Sequence, residues 1–156
     1  MNLKRTNQTK AAITAVGGYV PDTILSNEDL EKMVDTNDAW ITSRTGIKER
    51  RILKDQDKPT SFLAIKAAQD LISKHDINAK SIDLVIVATI TPDMFVAATA
   101  AYVASSIGAH NAFAYDLNAA CSGFLYGMST SAAYITSGRY KKVLLIGADK
   151  MSSIVD

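Results

Sequence analysis

The 156-residue chain has one cysteine, three prolines, one tryptophan and almost no net charge, Lys+Arg 17 standing against Asp+Glu 16. A single cysteine, Cys121, excludes an internal disulfide, so the fold must hold by burial alone. At this length a chain buries roughly 68–70% of the surface its unfolded form exposes, which is enough without metal or disulfide staples. The near balance of charge and the absence of a basic run exclude the electrostatic footprint of a nucleic-acid binder. No apolar run is long enough to span a bilayer, and no apolar stretch of signal-peptide type follows the polar leader of residues 1–10. A reducing, cytoplasmic location is the expectation. The two histidines, His75 and His110, have no metal-ligand spacing with Cys121 or the acidic residues, so no metal site is expected.

Charge is missing most conspicuously from the 55 residues between Leu84 and Gly138, where Asp93 and Asp116 are the only Asp, Glu, Lys or Arg. A solvated helix carries a charged face, so elements this bare are covered, either by a central sheet and neighbouring helices or by another subunit or domain.

Local signals divide the chain into alternating strands and helices. The apolar run Ala11–Val20, closed by Gly17-Gly18 and Pro21, reads as a buried strand. Ser26 with Asp29 three residues on is a capping box, predicting a short helix over 27–34. Asn37-Asp38 opens another helical piece that carries Trp40 and Arg44 and stops at Gly46, and 47–53 reads as an edge strand. Helical spacing of apolar residues runs over 60–75, a β-branched strand over 82–90, a helix over 97–107 and a short strand over 112–117. A long run of small and apolar residues then ends at Gly138, a helix C′ residue, and 142–148 forms a last strand. This alternation predicts an α/β layered fold with a mixed or parallel sheet and no interdomain linker.

Cys121 sits where a strand gives way to a helix, among Ala120, Ser122 and Gly123. A thiol there meets the positive end of a helix dipole and unpaired N–H groups, which favour the thiolate and can hold an oxyanion. That setting suits acyl transfer through a covalent thioester. Equally consistent with the residues is a small apolar core cysteine, the commoner role of a lone one; a peroxide-sensing thiol is a third reading. Both histidines read as solvated, so an acid–base partner for Cys121 is not evident in the chain. Trp40, at helical spacing from Met33 and Ile41, reads from its spacing as a core aromatic.

Three segments, in order, resemble the β-ketoacyl-acyl-carrier-protein synthase III family of thiolase-like condensing enzymes: Asp38-Ala39-Trp40-Ile41-Thr42-Ser43-Arg44-Thr45-Gly46-Ile47 with Thr36 just before it, Ala88-Thr89-Ile90-Thr91-Pro92-Asp93, and Asn118-Ala119-Ala120-Cys121-Ser122-Gly123-Phe124. The resemblance runs from Ala11 to Asp156. It implies a thiolase-like layered fold, a mixed five-stranded sheet covered by helices, in which residues 11–156 form an N-terminal half and the C-terminal half is absent. It further implies Cys121 as the acylated nucleophile whose own N–H helps form the oxyanion hole. Trp40 and Arg44 would sandwich the adenine of coenzyme A with Thr36 beside it, as an indole and a guanidinium plane can. Val96, in the loop 94–98 that would reach across a dimer axis, would line the acyl pocket; the pair Val96-Ala97 departs from the family's usual Phe-Pro.

The implied reaction starts fatty-acid synthesis, condensing an acyl-CoA primer with malonyl-acyl-carrier-protein in a homodimer with no tightly bound cofactor. The catalytic His and Asn of such an enzyme would lie beyond this chain. A related synthase of secondary metabolism, and a non-catalytic coenzyme-A-binding or assembly half, are the alternatives.

Overall fold

The computed structural model describes residues 10–154, which divide into two compact units. The smaller comprises Val20–Lys58 with the residues from Met151 onward. It begins with β1 (Ile24–Ser26), α1 (Asn27–Glu31), α2 (Asp38–Thr45) and β2 (Glu49–Arg51). Ser26 closes the anticipated capping box, accepting from the Asp29 N–H while Asp29 accepts from the Ser26 backbone, although α1 stops at Glu31, earlier than the 34 expected. Asn37 caps α2 through the Trp40 N–H at 2.8 Å. Gly46, with φ 70°, ends it in the left-handed conformation that a Cβ would disfavour. The two short strands pair antiparallel, Leu25 opposite Arg50.

The larger unit holds α3 (Thr60–Lys74), β3 (Leu84–Ala88), α4 (Thr99–Ser106), β4 (Phe113–Leu117), α5 (Gly123–Thr136) and β5 (Val143–Gly147). Its sheet is parallel, in the order β4-β3-β5, with Leu84 level with Phe113 and Val143. Every residue of β3 is buried, as its unbroken apolar sequence requires of a strand covered on both faces. Val85 and Val87 point into a cluster with Ala64 and Ala68 of α3, Ala100 and Val103 of α4, and Ile146 of β5. On the other face α5 approaches so closely that a Cβ on Gly123 would touch the Ala88 Cβ at 3.4 Å. The unit is therefore three layers: α3 and α4, the sheet, then α5.

Two expectations are corrected. Among the described residues the five strands do not form one mixed sheet; three make the parallel sheet and two a separate ribbon. The run Ala11–Val20 is not a buried strand but an irregular, largely exposed segment. Its backbone polar groups go to α3 instead of a ladder: the Gly18 N–H donates to Asp70 at 2.9 Å, and the Val16 carbonyl lies 3.0 Å from His75 Nε2. The segment and β5 line one groove, with Gly17, Tyr19, Leu71 and Leu145 among its walls, and no ladder joins them. The expected leader, apart from Lys10, lies outside the described residues.

Candidate active site

In an open parallel sheet, ligands bind beyond the carboxyl ends of the strands where successive connections depart in opposite directions. The order β4-β3-β5 has that point between β3 and β4: α4 returns on one face, α5 on the other. Cys121 stands there, four residues after β4 ends at Leu117.

The turn that carries it is sharp. Ala119 has φ −147° and ψ 31°, Ala120 has φ 45°, and Ala120–Ser122 form one 3-10 turn closed by the Ser122 N–H on the Ala119 carbonyl at 3.0 Å. A non-glycine residue at positive φ costs of order 1–3 kcal/mol and persists only where its surroundings enforce it. Here the enforcement is the start of α5 at Gly123, packed on Ala88 and Leu117. Among the described residues Cys121 is exposed, not packed in a core. No side chain caps α5; the 3-10 turn runs straight into it, the Gly123 N–H donating to the Ala120 carbonyl.

The loops around this point are tied by the two acidic residues of the charge-poor stretch. Neither α3 nor α4 has a cap of its own, their N-cap positions being Pro59 and Ala98. Asp93 supplies the first, accepting from the Ser61 N–H at 2.9 Å; Asp116, on β4, supplies the second, accepting from the Thr99 and Ala100 N–H groups at 2.7 Å each. The Asp93 N–H in turn donates to Thr99 Oγ1 at 3.1 Å, closing the base of the loop whose tip is Phe95 and Val96. That tip is bare, Val96 being 99% exposed. On the next strand end, Asp149 accepts from the Thr89 hydroxyl and the Ile90 N–H at 2.9 and 2.8 Å. Reading the chain by spacing missed these caps, and the signal was the isolation of Asp93 and Asp116 among uncharged neighbours.

The other expected site residues lie in the smaller unit. Trp40 is 52% exposed and Met33 is exposed too, so Trp40 is not a core aromatic. Arg44, one helical turn on, sets its guanidinium carbon 4.4 Å from the centre of the indole. Thr36 is half-buried just ahead of α2. Both histidines are exposed, as expected. Among the described residues no group of three or more His, Cys, Asp or Glu is disposed to hold a metal, and no helix is long and apolar enough to cross a membrane.

The three-layered α/β arrangement with a cysteine at that elbow is the thiolase-like fold. The solved β-ketoacyl-acyl-carrier-protein synthase III of Thermus thermophilus superposes with a TM-score of 0.88 at 45% identity, over 94% of this chain and 45% of that one. The priming β-ketosynthase of the R1128 polyketide biosynthetic pathway gives 0.90 at 29% identity, over 100% and 46%. Residues 115–156 match the model of the 3-oxoacyl-[acyl-carrier-protein] synthase III family. The β-ketoacyl-acyl-carrier-protein synthase III of Chlorobium chlorochromatii is 60% identical over 147 residues, 94% of this chain and 45% of that protein. Over the stretch it covers, the chain is similar to the N-terminal half of the β-ketoacyl-acyl-carrier-protein synthase III proteins. It spans about half the length of the curated relatives it matches.

Proposed function

We propose that the full-length protein of which this chain is a part is an acyltransferase that starts fatty-acid synthesis, with Cys121 as its acyl carrier. The observation that carries this is the exposed Cys121 on a strained elbow at the switch point of the sheet, ahead of a helix that no side chain caps. The Cys121 thiolate attacks the thioester carbonyl of an acyl-CoA primer. Backbone N–H groups of the elbow, including that of Cys121, hold the oxyanion, and the coenzyme A thiolate leaves. Malonyl-acyl-carrier-protein then loses carbon dioxide. Its carbanion attacks the acyl-cysteine carbonyl, and the β-ketoacyl product departs on the carrier protein as the Cys121 thiolate is restored.

Trp40 and Arg44, with Thr36 beside them, receive the adenine of coenzyme A. At 4.4 Å the pair is stacked on itself. A ring between them needs roughly 7 Å, two layers of about 3.5 Å, so Arg44 swings off the indole as the nucleotide enters. Val96 lines an acyl pocket completed by a second copy in a cytoplasmic homodimer, and coenzyme A serves as substrate with no tightly held cofactor. The histidine and asparagine that assist decarboxylation come from the remainder of the protein, which also covers the apolar outer face of α5.

Intact mass spectrometry of the full-length protein, with and without acetyl-CoA, tests the reading. One acetyl adduct is expected on the native protein and none on Cys121→Ala; an adduct that survives the substitution, or none on the native protein, overturns it. The likeness to the polyketide priming synthase supports a second reading, a related synthase of secondary metabolism. Product analysis with malonyl-acyl-carrier-protein against malonyl-CoA separates the two.

A further inference from the structure

The most deeply buried polar side chain of the smaller unit is Asn27, 2% exposed, and its amide is fully engaged. Its Nδ2 donates to Asp38 Oδ1 at 2.7 Å and to the Ile47 carbonyl at 2.8 Å, with Thr42 Oγ1 farther off at 3.3 Å. Its Oδ1 accepts from the Arg50 guanidinium, and its backbone N–H donates to the Lys48 carbonyl at 3.1 Å. Thr42 adds its own hydroxyl to Asp38 at 3.1 Å. One side chain thus gathers the first and fifth residues of α2, the turn that follows it, and β2.

The geometry of α2 gives this grip a purpose. Asp38 and Thr42 stand four residues apart on one face; Trp40 and Arg44, each two residues further on, stand about 200° around the axis on the opposite face. Apolar burial contributes little to the orientation of this helix, since Ile41 is its one buried residue. A helix held so weakly by its core takes its rotation from directional contacts: backbone N–H groups of its first turn go to Glu31 and Asn37, at 2.6 and 2.8 Å, and the side chains of Asp38 and Thr42 go to Asn27. A buried amide left without partners costs more than the bonds contribute net, so the arrangement is close to all-or-none.

We infer that Asn27 is a positioning residue for recognition of the adenine nucleotide end of acyl-CoA: by holding Asp38 and Thr42 at the back of α2, it fixes the rotation at which Trp40 and Arg44 are presented at the front. The inference rests on the proposed role of that pair. It concerns how the pair is held, not contact between Asn27 and ligand.

The test compares kcat/KM for acetyl-CoA with that for acetyl-pantetheine, the same thioester without the adenine nucleotide, in the full-length protein. Asn27→Ser is expected to lower the ratio about tenfold. Thr42→Val, nearly isosteric and therefore secure against misfolding, is expected to lower it about threefold. A substitution that only weakens the fold reduces turnover of both thioesters by one factor. An unchanged ratio in Thr42→Val, or in a folded Asn27→Ser, overturns the positioning role. Trp40→Ala separates the two layers of argument. A ratio that falls in Trp40→Ala but not in the other variants overturns Asn27 alone, whereas a ratio insensitive to Trp40→Ala overturns the adenine cradle and this inference with it.

Discussion

Helices α4 and α5 are alike in sequence and opposite in setting. Neither contains an Asp, Glu, Lys or Arg. In its eight residues α4 buries Thr99, Ala100, Val103 and Ala104; in its fourteen, α5 buries only Gly123 and Gly127. Its large side chains stay outside, Leu125 at 66% exposed beside Phe124 and Tyr126. Absence of charge records that a helix face is covered in the finished molecule, but not what covers it. For α4 the cover is α3 and the sheet. For α5 the described residues supply one side only, and an exposed apolar face of this kind marks a contact surface. That agrees with a chain about half the length of its relatives.

Paired truncations put this contrast to the hardest test. Val103→Ala, at a fully buried position, is expected to cost about 2–3 kcal/mol from lost transfer energy and the residual cavity. In the isolated 156-residue chain Leu125→Ala should cost less than about 0.5 kcal/mol, as exposed substitutions do. Urea denaturation of both variants, repeated in the full-length protein, sharpens the comparison: Leu125→Ala becomes as costly as Val103→Ala only if the rest of the protein covers α5.

A smaller loss is expected where the covered helix is anchored. Asp116→Ala leaves the Thr99 and Ala100 N–H groups of α4 without their acceptor, a capping loss of about 2 kcal/mol, while α5, which no side chain caps, has no counterpart to lose. Thermal unfolding checks it, and a variant as stable as the parent would show that α4 is held by its apolar face alone.

The smallest effect is one of pH. The Lys142 and Lys141 N–H groups, at 2.9 and 2.8 Å, hold the Asp83 carboxyl below its ordinary value of 3.8. A carboxyl lowered in the folded state stabilises fully above its unfolded value, and the contribution disappears as pH falls through the folded one. Unfolding temperatures of the parent should therefore fall below about pH 4 more steeply than those of Asp83→Asn, and parallel curves would dismiss the link.

Much of this was legible in local sequence. The capping box at Ser26, the stop at Gly46, the buried strand through Leu84–Ala88 and the helix that follows Cys121 rest on interactions between residues a few positions apart, and each formed where its signals stood. The elbow that carries Cys121 was legible for the same reason, since a strand, a run of small residues and a helix mark such a turn whatever surrounds it. Trp40 was misread by spacing alone because periodicity reports that residues share a face, not whether the face is inside.

What the tertiary structure decided depends on partners distant in sequence. Ala11–Val20 has the composition of a strand, yet a strand needs a ladder, and this one bonds to α3 and pairs with no strand of the sheet. Asp93 and Asp116 became caps for helices that begin elsewhere in the chain, and Asn27 became the grip on α2 through residues 11, 15, 20 and 23 positions away. Periodicity, capping and turn chemistry act over one or two turns and can be read directly; a strand's pairing, a helix's cover and the partners of a buried polar group exist only after the chain has closed on itself.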